Sequence, residues 1–84
     1  MRWGSIKREE KTNVPLNLAE IGKTYVIQRV GGLEKDKHHL ENLGFVQGRE
    51  IELLSELHGY YIVCMKDTKV GIEKHLAQKV ILVA

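Results

Sequence analysis

The alternation of apolar and polar positions divides this chain into short elements. Between Thr24 and Val30, Tyr25 and Ile27 fall two residues apart, the repeat of a strand with one buried face. Val30 breaks that parity, which predicts a bulge or a sharp bend. From about Leu33 to Leu43 the apolar spacing lengthens to that of a helix, but the middle, Glu34 to His39, is entirely polar. Such a helix can bury only a narrow stripe: Leu33, Leu40, Leu43 and the stem of Lys37. It is expected to lie over the mouth of a sheet. Gly44 stands where a helix stop needs a residue that tolerates positive φ, and Phe45 stands where the cap makes its apolar contact. Gly48 turns the chain again. Strands are then expected at Glu50 to Leu57, Tyr60 to Met65 and Lys69 to Ile72, joined by turns at His58-Gly59 and Lys66-Asp67.

The two ends complete the outline. Pro15 biases Val14 toward extended geometry, and Asn17 reads as the N-cap of a short turn, Leu18 to Ile21, that stops at Gly22. Glu73 to Lys79 predicts a helical turn with Leu76 and Ala77 inward, and Val80 to Val83 a last short strand. Five closely spaced strands predict a mainly β fold: a small, partly open β-barrel of about five strands with two short helices. Residues 14–84 form the expected domain, and residues 1–13 read as a flexible N-terminal extension carrying one large aromatic, Trp3.

Composition narrows the function. The chain has 84 residues, 43% hydrophobic and 29% charged, enough for one domain with a modest core that a partner or self-association would stabilise. A homo-oligomer is therefore one expected arrangement. The single cysteine, Cys64, permits neither an intrachain disulfide nor a multi-cysteine zinc site, as suits a reducing cytoplasm. Met1 to Glu10 has no apolar core of a secretory signal, and the longest apolar run, Tyr60 to Met65, is too short to span a bilayer. Direct membrane insertion is not expected. The net charge of +2 resides in the first 13 residues, where four basic residues meet two acidic ones; the remaining nine basic and nine acidic residues cancel. A balanced domain without a basic stripe is not expected to bind nucleic acid.

Few residues carry candidate chemistry. Glu34, His38 and Glu41 share one helix face and could hold a divalent transition metal weakly, although His–Glu neighbours are ordinary on solvated helices. Cys64 reads as a small buried hydrophobe rather than an iron thiolate. No phosphate loop, nucleophile–base pair or acid pair is present, so neither an enzyme nor a required cofactor is expected. The strand Tyr60 to Met65 is apolar on both faces. One line fills the barrel; the other must face the N-terminal arm, a helix or a partner. Candidate partner contacts are Lys35, Lys37 and His38 on the polar helix and Tyr60 and Ile62 on this strand.

Three stretches together resemble a known family. Leu40-x-x-Leu43-Gly44-Phe45-x-x-Gly48-x-x-Ile51-x-Leu53 looks like the central signature of FeoA-type domains. Asp67 to Val80 resembles that family's closing hairpin, helical turn and final strand, and Pro15 to Lys23 its opening. The resemblance covers roughly residues 14–83, with Gln47 where many relatives have proline and Gly71 where many have alanine. It implies an SH3-like β-barrel acting as a cytoplasmic accessory of bacterial ferrous iron uptake. The implied partner is the cytosolic G-domain region of the membrane ferrous iron transporter. The same domain type also closes iron-dependent repressors; no helix-turn-helix precedes it here, so a complete repressor is not expected.

Overall fold

Gly44 shows how closely local chemistry dictates this architecture. The computed structural model describes residues 13–84. In it, helix α1 spans Glu34–Asn42 and ends in Gly44 at φ +106°. The Gly44 N–H donates to the Glu41 carbonyl and the Phe45 N–H to the Leu40 carbonyl, both at 3.0 Å. These two bonds satisfy carbonyls that the helix end would otherwise leave free, and the apolar residue that completes such a cap is Phe45. Phe45 is fully buried, so one residue both ends the helix and fills the core.

Around this cap run six antiparallel strands among the described residues: β1 Asn13–Pro15, β2 Thr24–Val30, β3 Glu50–Leu57, β4 Tyr60–Met65, β5 Thr68–Glu73 and β6 Val80–Val83. They form one unclosed sheet in the order β1-β6-β2-β3-β4-β5. A 3₁₀ turn, Leu16–Leu18, follows β1, and the short helix α2, Lys74–Ala77, joins β5 to β6. The fold is mainly β, as expected, with β1 as a sixth, three-residue strand beyond the five anticipated. Of the predicted extension, only Asn13 lies among the described residues, where it opens β1 opposite Val83; Trp3 lies outside them.

Two register shifts bend the sheet. β2 slips against β6 between Ile27 and Arg29, which is the parity break that Val30 announced. A second slip lies in β3 between Leu53 and Ser55, where the doublet Leu53-Leu54 interrupts the alternation. Each extra residue raises the local twist and lets neighbouring strands curl over one core. That core holds Leu16, Tyr25, Ile27, Leu40, Phe45, Ile51, Leu53, Val63, Met65, Ile72, Leu76, Ala77, Val80 and Leu82. No polar side chain is fully buried among the described residues.

Some local expectations are corrected. Leu33 is 69% exposed, because α1 begins after it and its backbone is extended. The helix therefore buries Leu40 alone, with Leu43 half-buried behind it. Asn17 does not cap a Leu18–Ile21 turn; Pro15 precedes a 3₁₀ turn at Leu16–Leu18, and Leu18 and Ile21 stay exposed. Leu16 is the residue that this turn drives inward.

The turn Val46–Arg49 supports a stability prediction. Arg49 N–H donates to the Val46 carbonyl at 3.2 Å, and Gly48 has φ +89°. Positive φ at the third position marks a type II turn, whose second position favours proline. Gln47 occupies that position exposed, and its N–H makes no backbone hydrogen bond among the described residues. Gln47→Pro is expected to stabilise by about 0.4–1 kcal/mol, raising the melting temperature by roughly 2–8 °C in thermal denaturation. An unchanged or lower melting temperature would show that Gln47 does not already hold a proline-compatible backbone.

Candidate functional site

The pleat of β4 decides which of its two apolar lines faces out. Val63 and Met65 are buried and Tyr61 packs against the same core, so Tyr60, Ile62 and Cys64 take the outer face. Tyr60 is 50% exposed and Ile62 half-exposed. The expected burial of Cys64 does not occur: it is half-exposed, and its thiol lies 3.5 Å from the Lys66 carbonyl as a weak donor. The inward places on either side of it belong to Val63 and Met65.

A two-residue turn, His58-Gly59, fixes the outer end of this line. Both residues have positive φ, 51° and 83°, the geometry that matches the strand twist. The turn places Leu57 directly across from Tyr60, on the same face, and Leu57 is 61% exposed. The Glu56 carboxylate accepts the Gly59 N–H at 3.1 Å and braces the turn. Leu57, Tyr60 and Ile62 thus form an apolar strip on a hydrogen-bonded hairpin. Sequence reading identified Tyr60 and Ile62 but not Leu57, whose exposure depends on the Leu53–Ser55 slip reversing the faces of β3.

The polar helix presents a different surface. Lys35, Lys37 and His38 are all exposed on α1. Its start is tethered by Lys79, whose stem lies against Gly32 and whose ammonium sits 4.0 Å from Asp36. Among the proposed metal ligands, Glu34 and His38 approach to 4.0 Å across one helical turn, both well exposed. No group of three or more histidine, cysteine, aspartate or glutamate side chains is gathered for a metal among the described residues. Two exposed donors supply less than the three protein ligands typical of an open zinc site. His75 instead contacts Glu73 at 3.3 Å, far along the chain from α1.

Sequence reading missed the open cleft of about 440 Å³ lined by Val46, Gln47, Gly48, Arg49, Glu50 and Lys66. It lies between the Gly48 turn with the first residue of β3 and Lys66 of the β4–β5 turn. The lining mixes charges of both signs with backbone and holds no nucleophile beside a base.

Comparison with known proteins adds the missing context. Residues 14–84 match the family model of the FeoA domain. An iron uptake regulatory protein, FeoA, superposes with a TM-score of 0.79 at 23% identity, covering 86% of this chain and 97% of that one. The FeoA of Stenotrophomonas maltophilia, solved with zinc and described as a prokaryotic SH3 domain protein, gives 0.71 at 20% identity over 80% of this chain and 86% of its own. A manganese-dependent transcriptional repressor gives 0.80 at 17% identity, covering 88% of this chain but only 42% of the repressor. At these identities the likeness is one of fold. No curated protein sequence matches significantly.

Proposed function

Because this chain belongs to the FeoA domain family, we propose that it is a non-catalytic cytoplasmic accessory of bacterial ferrous iron uptake, working by docking on the cytosolic G-domain region of the membrane transporter. The Stenotrophomonas FeoA has been put forward as a ferrous iron transport activating factor, which supports the transport reading. The single observation that carries the docking reading is the outward strip Leu57, Tyr60 and Ile62 on a hydrogen-bonded hairpin. None of the described helices is long and apolar enough to cross a membrane.

The proposed mechanism is a shift between conformations of the transporter's cytosolic domain. A docked protein can shift such an equilibrium only through different affinities for the two states. An aromatic on a preorganised hairpin gives anchoring area at small entropic cost, and Tyr60 fits that role. Lys35, Lys37 and His38 on α1 supply charge that sets orientation and encounter rate.

The test is capture of the purified cytosolic domain of the transporter by the full chain. The double variant Tyr60→Ala, Lys37→Glu is expected to weaken capture at least roughly tenfold. Both side chains are exposed, so the fold should keep its stability within about 0.5 kcal/mol. Undiminished capture by the folded variant would remove these residues from the interface.

A further inference from the structure

β5 is the last strand of the sheet, and its outer edge pairs with no other strand among the described residues. Which of its backbone groups face that edge follows from the hairpin. Met65 and Thr68 close a two-residue turn, so Thr68, Val70 and Ile72 point their backbone N–H and C=O groups at β4. The Lys74 N–H donates to the Gly59 carbonyl at 3.1 Å, which confirms the phase at the far end. Lys69, Gly71 and Glu73 therefore turn their backbone N–H groups away from β4, toward the free edge. Their side positions share the outer face with Tyr60, Ile62 and Cys64, their cross-strand partners.

We propose that this edge pairs with the same edge of a second copy of the chain, antiparallel and centred on Gly71. A two-fold axis through Gly71 sets Gly71 opposite Gly71 of the other copy and Lys69 opposite its Glu73, twice over. All three are edge-facing positions, so the pairing uses free backbone donors, and all three lie on one face, so side chains match in register. Lys69 and Gly71 are exposed, and the Glu73 side chain is 57% exposed; its contact with His75 occupies one carboxylate oxygen only.

Charge disfavours two of the alternative registers. Shifting the centre to Val70 puts Glu73 opposite Asp67, two like charges face to face. Shifting it to Lys69 puts the two Lys69 ammonium groups opposite each other. Lysine on a strand edge ordinarily blocks pairing, and in the Gly71-centred register each Lys69 meets the Glu73 carboxylate of the other copy. Gly71 suits the centre for a separate reason. A Cβ there would come within 3.0 Å of Ile62 Cδ1, which shows that Ile62 leans over the glycine. The two-fold brings Ile62 of each copy over the central glycines, giving an apolar middle flanked by ion pairs.

Three paired positions per strand bury little area, so the dimer is weak and concentration-dependent. Sedimentation velocity of the full chain at low salt, from about 10 μM to about 1 mM, should show the monomer giving way to dimer. Lys69→Glu and Glu73→Lys singly should each raise the dimer dissociation constant by roughly tenfold or more, by replacing both attractions with repulsions. The double exchange Lys69→Glu, Glu73→Lys should restore association. A chain that stays monomeric throughout, or a double exchange no better than either single change, overturns the proposal.

Discussion

Phe45→Ala is expected to destabilise the domain by about 3–5 kcal/mol, a large part of the 5–15 kcal/mol that holds a typical domain folded. Phe45 is fully buried and is the largest of the fully buried side chains. Its removal forfeits the burial of the ring and leaves a void that a close-packed interior cannot refill. The position also belongs to the helix cap, where its N–H donates to the Leu40 carbonyl. Alanine keeps that N–H but loses the apolar contact that fixes the angle at which α1 meets the sheet. Urea unfolding monitored by fluorescence and circular dichroism should give a lower midpoint with both probes in step. A loss under about 1 kcal/mol would mean that the site collapses around alanine and that the cap, rather than the ring, is what matters there.

Leu40→Ala should cost up to about 2–5 kcal/mol, but the loss is expected to be local. Leu40 is the one fully buried side chain on α1. Without it the helix keeps only the half-buried Leu43 and the tether from Asp36 to Lys79. A nine-residue helix is too short to persist without tertiary contacts. The sheet, whose strands pair independently of α1, can remain folded while the helix opens. Hydrogen exchange should therefore show α1 amides losing most of their protection while β3 and β4 amides keep theirs. Equal loss in helix and sheet would show that α1 and the barrel unfold as one unit.

The contrast between these two residues shows what the sequence made legible. The Leu40–Gly44–Phe45 pattern could be read because a helix cap is local: its requirements meet within six residues. The β2 bulge was legible for the same reason, as a parity break inside one strand. Leu33 was misread because a helical spacing also fits a residue just outside the helix, and only the extended backbone there decides the matter. The three-residue β1 was not expected as a strand because it is specified by its partner β6 rather than by its own alternation.

The candidate surface divides in the same way. That Tyr60 and Ile62 lie on one line was plain from alternation; that this line faces out depends on Val63 and Met65 reaching the shared core. Leu57 was invisible because a register slip several residues away sets its direction. The cleft beside Gly48 involves Lys66, sixteen or more residues distant along the chain, and no local pattern joins them.

The slender attachment of α1 has an evolutionary consequence. Every residue of the helix except Asp36 and Leu40 is exposed, and the glycines Gly32 and Gly44 bracket it with backbone geometries that its own side chains do not set. Substitutions along that outer surface leave the barrel's stability almost untouched. Lineages can thus rewrite the charge pattern of the helix to follow a drifting partner, one residue at a time, while the scaffold beneath stays under separate selection.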